Sequence, residues 1–188
     1  MPQASESGPP GPPVSPARWP SPLALPDPLL INSLVRLRPW AEADAPHLAA
    51  AWADPAVSAH TAVPPDPSEA YARRWIGGDA ARRRAGLCID LVVERNETPR
   101  VLVGEVGLVP NDSGTVEMGY WIRSSETGQG YAQAALSLLA EWVYEEICTE
   151  VFADIDPANP ASAAVAERAG FVLDHDGSRL WQYRPAPR

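Results

Sequence analysis

The polar and apolar positions change period several times along the chain, and each change marks an element. SLVRLRPW (33–40) sets Val35 and Leu37 against Leu34, Arg36 and Arg38, the two-residue period of a half-buried strand, which Pro39 stops. Asp44 is placed to cap a helix that runs to about residue 54, where Pro55 ends it. Beyond the loop TAVPPDP, Ser68 and Glu69 open a second helix through YARRWIGGDAARRRAG, weakened at Gly77–Gly78 and ended at Gly86. LCIDLVVE (87–94) and VLVGEVGLV (101–109) then read as strands joined by the hairpin loop ERNETPR, and PNDSG turns into a third, TVEMGYWIR (115–123). In that third strand Val116, Met118, Tyr120 and Ile122 share one face, and Glu117 and Trp121 share the other.

From Gly130 the period becomes helical, with Leu136, Leu139, Ala140 and Val143 in one stripe. VFADID (151–156) is a strand, PANPASAAVAERAG a short helix closed by Gly170, and FVLD and RLWQYR the last two strands. The helix between strands 115–123 and 151–156 makes those two parallel in an otherwise antiparallel sheet. The expected architecture is α/β: a mixed, mostly antiparallel, twisted sheet of about seven strands flanked by helices, without internal repeats.

Composition adds an arm and removes several functions. Ten of the 22 prolines lie in residues 1–28, a stretch poor in large apolar side chains, so 1–28 is expected to be a disordered or polyproline-like arm before a domain over 29–188. The arm lacks the charged front and apolar core of a secretory signal, and no apolar run reaches membrane-span length, so a soluble, cytoplasmic protein without membrane contact is expected. Net charge is −9, of which −8 falls on 29–188. Such a surface repels nucleic acid and favours a cationic partner, which leaves Arg82–Arg84 as a solvated helix face rather than a DNA contact. Cys88 and Cys148 read as buried free thiols, and His47, His60 and His175 lack metal spacing, so no metal is expected.

The remaining chemistry gathers at TGQGYA (127–132), glycines between a strand and a helix. Unpaired N–H groups at a helix start carry the positive dipole end, and glycine lets a phosphate approach that backbone closely. No Lys-Ser/Thr follows Gly130, as a P-loop requires, and there is no third glycine or parallel set of strands for a dinucleotide fold. Taken with LVRLRPW and Asp44–Ala45, GEVGL (104–108), EMGYWI (117–122), GQGYAQAAL (128–136), N-P-A-S (159–162) and AGF (169–171), the chain resembles the GNAT superfamily of acyl-CoA-dependent N-acetyltransferases. It resembles the RimJ/RimL-like branch in particular, over residues 33–184.

The resemblance implies a splayed central parallel pair of strands and acetyl-CoA as co-substrate. The pyrophosphate would sit on Thr127, Gly128, Gln129, Gly130, Tyr131 and Ala132, and the pantetheine would run along Tyr120, Trp121 and Ile122. Thr127 replaces the family's usual arginine or glutamine, and Ala134 replaces a frequent glutamate. Asn159 caps its helix with Pro160 at the first helical position, and the resemblance adds coenzyme contact by Asn159 and Ser162.

Direct attack of an amine on the thioester needs a neutral amine, oxyanion donors and a proton for the thiolate. Glu105 and Glu117 stand in apolar strand segments, where a carboxylate needs a partner or a function, and are the candidate bases. The family's usual tyrosine acid corresponds to Ala166, so Ser162 is the remaining hydroxyl. Near pH ~7.5 roughly a third of an α-amine is neutral against roughly a thousandth of a lysine amine, a gap of about 3–4 kcal/mol. A protein N-terminal α-amine or a small-molecule amine is thus the expected acceptor, for a monomer or homodimer. A non-catalytic acyl-CoA-binding sensor is the alternative, favoured by the side chains missing at Thr127, Ala134 and Ala166.

Overall fold

The computed structural model describes residues 22–148, 150–174 and 179–186. Seven strands form one sheet: β1 (Val35–Pro39), β2 (Ile89–Arg95), β3 (Leu102–Pro110), β4 (Val116–Ile122), β5 (Val151–Asp154), β6 (Phe171–Leu173) and β7 (Leu180–Tyr183). Their order is β1-β2-β3-β4-β5-β7-β6; β4 and β5 run parallel and every other pair antiparallel. The expected mixed sheet and its crossover from β4 to β5 are what the chain forms, and a second crossover, through α6, passes from β5 over β7 to β6.

Helices cover both faces. α1 (Ala45–Trp52), α2 (Pro55–Ser58), α3 (Glu69–Gly77) and α4 (Asp79–Arg84) precede β2; α5 (Tyr131–Glu146) follows β4 and α6 (Pro160–Arg168) follows β5. One core places Leu136, Leu139 and Val143 of α5 against Leu37, Leu91, Val106 and Met118. The other sets Trp40, Leu48, Trp52 and Ile76 against Val92, Leu102 and Trp121. Covering both faces explains the unbroken Leu91-Val92-Val93, all fully buried, where a half-exposed strand would alternate. Each such side chain contributes roughly 1.5–3 kcal/mol.

A register shift at Val93/Glu94 lets Val103 and Val106 enter the same core although three residues apart. Glu105 is thereby left on the face it shares with its partners Val92 and Trp121. At the β1 edge, Arg38 donates to both oxygens of Asp44 at 2.7 and 3.0 Å and to Glu94 at 3.0 Å. Asp44 also accepts the Ala41 N–H at 2.9 Å, which pins the turn carrying Trp40.

Several expectations change here. Asp44 does not cap α1, because its carboxylate is taken up by Arg38 and Ala41. Pro55 does not merely end α1; it opens α2, with Asp54 as cap. The second helix divides at Gly78 into α3 and α4. The arginine run is not a solvated face: Arg82 lies 4.0 Å over the Trp75 ring, and Arg83 donates to Asp79 at 3.0 Å. Of the arm, residues 1–21 lie outside the described residues, whereas Leu23 is fully buried and donates its N–H to Arg83 at 3.0 Å.

Candidate active site

β4 and β5 pair only at Val116–Val151 and Glu117–Phe152, while β4 stays paired to β3 as far as Ile122. From Met118 to Ile122 one backbone edge of β4 therefore has no partner strand among the described residues, and a wedge opens there. Two cavities of about 560 Å³ each meet at Tyr120, Trp121, Asn159 and Ser162, with His60 and Thr61 on the walls of both. A larger groove of about 830 Å³ lies along α5 between Glu141 and Tyr183, away from the wedge.

The first cavity runs over Ile122 to Thr127, Gly128, Gly130, Tyr131 and Ala132. Gly128 (φ +77°) and Gly130 (φ +83°) are left-handed, and a Cβ would meet nothing within 4 Å at Gly128 and only Leu34 Cδ1 at 3.8 Å at Gly130. Backbone conformation, not packing, calls for glycine there, and the space above them is open. The ladder of α5 begins with Ala134 N–H to Gly130 O at 3.0 Å, so the N–H groups of Tyr131, Ala132 and Gln133 precede it. No acidic side chain occupies the first turn of this 16-residue helix. The arrangement suits an anion. Gln129 is exposed and lines neither cavity, the one position of the glycine loop that the structure does not bring in.

The second cavity lies against Asp90, Glu105, Gly107, Glu117 and Gly119. Glu105 is half-buried and reaches the cavity wall. Its two oxygens accept separate indole N–H groups, Oε2 from Trp40 at 2.9 Å and Oε1 from Trp121 at 3.1 Å. Burial and the charge of Asp90 push its carboxyl up to about 8, against the lowering effect of the two indole bonds and Arg82. Glu117 reaches the same cavity but is exposed. The Trp121 side chain is buried toward Glu105, so only its backbone faces the wedge as a rail.

Where the cavities meet, Tyr120 donates its phenol to Ser162 Oγ at 3.1 Å. Ser162 keeps its own hydroxyl proton free to donate. Burial raises the Tyr120 phenol, only partly offset by Ser162 and by the charge of Arg168. Asn159 caps α6 by accepting the Ser162 N–H at 3.0 Å. Ala166 is buried and offers no proton.

Trp40, Asp90, His60 and Thr61 belong to the site and had no assigned role. Asp90 could have been found by the criterion that picked Glu105, a carboxylate inside an apolar strand. Cys88 stands nearer the site than its sequence position suggests, donating to Asp90 at 3.1 Å. Burial and Asp90 push its thiol up to about 12, so it is not a nucleophile at neutral pH. Among the described residues, no group of three or more His, Cys, Asp or Glu is arranged for a metal, and no helix is long and apolar enough to cross a membrane.

Residues 35–172 match the family model for an acetyltransferase (GNAT) domain. No curated protein matches the sequence. Among solved structures, an acetyltransferase from Agrobacterium tumefaciens is 25% identical, with a TM-score of 0.67 over 87% of this chain and 98% of that one. Mycobacterium smegmatis RimJ in complex with a CoA-disulfide is also 25% identical, with a TM-score of 0.64 over 79% of each chain. RimL, a ribosomal alpha-N-protein acetyltransferase in complex with coenzyme A, shares the fold at 19% identity, with a TM-score of 0.65 over 82% of this chain and 96% of that one. RimJ and RimL are the branch that the sequence resembles.

Proposed function

The chain belongs to the acetyltransferase (GNAT) domain family, and from that premise we propose that it transfers acetyl from acetyl-CoA to a primary amine by direct attack. The observation that carries this reading is the divergence of β4 from β5, which leads from a free strand edge to two left-handed glycines at the head of a long helix. The free edge at Tyr120–Ile122 suits the amides of a pantetheine chain, as an added strand would. The backbone at Gly128 and Gly130 suits a pyrophosphate, with Thr127, Tyr131 and Ala132 beside it and Asn159 and Ser162 near the thioester end.

When bound, acetyl-CoA supplies the electrophile: the amine nitrogen bonds to the thioester carbonyl carbon, the carbon–sulfur bond breaks, and coenzyme A leaves as a thiol. Glu105 takes the amine proton, directly or through water, with Glu117 as the second carboxylate of the same wall. Ser162 donates its hydroxyl proton toward the sulfur while Tyr120, held protonated by burial, orients it by donating to its oxygen. The proton that Glu105 took from the amine returns through water to restore the Ser162 hydroxyl. The acceptor wall supports a cationic amine, since Asp90, Glu117, Asp154 and Asp156 face it and its Arg179 already donates to Asp154 at 2.9 Å. A protein N-terminus or a small amine of low pKa fits such a wall.

Calorimetry with acetyl-CoA, then thiol release over a panel of α-amines, polyamines and aminoglycosides, tests this. Binding and amine-dependent release are expected; binding without turnover over the panel supports the sensor instead. Gly130→Asp sets a carboxylate against the pyrophosphate seat and should abolish binding. Retained affinity in that variant refutes the seat.

A further inference from the structure

Glu105 is an acceptor at both oxygens, and what it accepts from cannot trade protons with it. An indole N–H donates only, has no lone pair for hydrogen bonding and does not titrate in water. With one indole on each oxygen, a proton on Glu105 must occupy a lone pair turned away from both rings, and it must leave by the way it came.

The donors are also held in place. Trp40 lies 6.4 Å from Trp121 at a 32° tilt and meets Trp75 edge-on at 6.3 Å. Trp75 in turn meets Trp52 edge-on at 5.9 Å and carries the Arg82 guanidinium on its face. Trp40 hangs from the turn that Arg38, Asp44 and Ala41 lock. Donors fixed in this way do not relax when the carboxyl changes charge, so they favour the carboxylate at every moment.

We infer that Trp40 and Trp121 are positioning residues for Glu105, whose paired indole N–H groups fix the carboxylate and reserve its remaining lone pairs for a proton arriving from the acceptor cavity. Neither indole needs to touch the acceptor. The opposing influences are burial and Asp90 on β2, which favour the neutral acid. Arg82 of α4 opposes them; it lies 3.9 Å from Asp90 and 4.0 Å from Asp79. Glu117 on β4 and His60 after α2 line the same cavity, and Cys88 reaches it only through Asp90. The kinetic consequence rests on reading Glu105 as the base, whereas the hydrogen bonding can be tested without turnover.

The test is a pH titration, from about pH 6 to about pH 10, of the indole signals in the nitrogen–proton correlation spectrum of the labelled protein, which has seven tryptophans. Trp40→Phe and Trp121→Phe assign the two signals. They should move together with one midpoint near 8, where burial leaves the Glu105 carboxyl, and stay still in Glu105→Gln. Removing one donor destabilises the carboxylate, so in Trp40→Phe the midpoint at the Trp121 indole should rise by about one pH unit. Static signals, separate midpoints, or a midpoint unmoved by Trp40→Phe overturn the inference. If Trp40→Phe does not fold, Trp121→Phe read at Trp40 and the comparison of wild type with Glu105→Gln decide in its place. If the indoles titrate as expected while Glu105→Gln turns over normally, the positioning stands and the base assignment falls.

Discussion

Gly104 and Gly119 offer a matched pair of substitutions, because both are strand glycines without positive φ on neighbouring strands. A Cβ at Gly104 would overlap the Trp121 carbonyl oxygen and lie 2.7 Å from Ile122 Cδ1 and 3.1 Å from Ile122 Cα. Two of those three atoms are backbone in a paired strand, so no rotamer change relieves the overlap and β3 and β4 must separate. Overpacking of this kind costs about 3 kcal/mol, the upper end of the usual range. At this chain length each kcal/mol lowers Tm by about 2–4 °C, so Gly104→Ala should melt about 6–12 °C early. At Gly119 a Cβ meets nothing within 4 Å. Gly119→Ala should leave stability unchanged or raise it by about 0.5 kcal/mol, through the lower entropy of the unfolded chain. Urea unfolding followed by tryptophan fluorescence gives both numbers. If the two variants differ by less than about 1 kcal/mol, the close approach of β3 to β4 is not what requires glycine at 104. The same overlap would shift the backbone of Trp121, so Gly104→Ala should also loosen the bond between its indole and Glu105.

With the Glu105 carboxyl near 8, its proton-accepting form grows as pH rises, so kcat/KM should climb through that value and the limb should vanish in Glu105→Gln; an unchanged limb assigns it to the amine instead. Ser162→Ala should lower kcat by about 10²-fold with little change in acetyl-CoA affinity by calorimetry, and Tyr120→Phe should lower it less. Burial alone would raise the Asp44 carboxyl, but the bonds from Arg38 and Ala41 outweigh it and hold the group below its usual range. That stability is present above the ordinary carboxyl pKa of ~3.9 and is lost as pH falls through the lower folded value. Asp44→Asn should therefore cost about 2 kcal/mol at neutral pH and flatten the acid side of the profile, read from urea midpoints at several pH values.

The sheet was legible because its signals are local. The stripe of Leu136, Leu139 and Val143 needs only neighbouring turns, and Asn159-Pro160 carries its cap within two residues. Residues with two possible uses were less legible. Pro55 can follow one helix or start another, and only the Asp54 carboxylate bonding the Ala56 N–H settles which. Asp44 has the chemistry of a cap, yet an arginine six residues back claims it first. The site's charge balance was the least legible part, because Trp40 reaches Glu105 across 65 positions and Tyr120 reaches Ser162 across 42. No periodicity encodes such meetings; they follow from strand order and from the register shift that turns Glu105 away from the α5 face.

The alternation of β4 has a further consequence. Glu117 and Gly119 line only the second cavity, Tyr120 and Trp121 line both, and Ile122 lines only the first, so one heptapeptide borders both cavities. Under the proposed function, a substitution at Gly119 touches the second cavity and not the first. An insertion or deletion of a single residue is not so confined, because it exchanges the two faces at once. Single residues of β4 that border one cavity are thus open to change, and the reading frame of the strand is not.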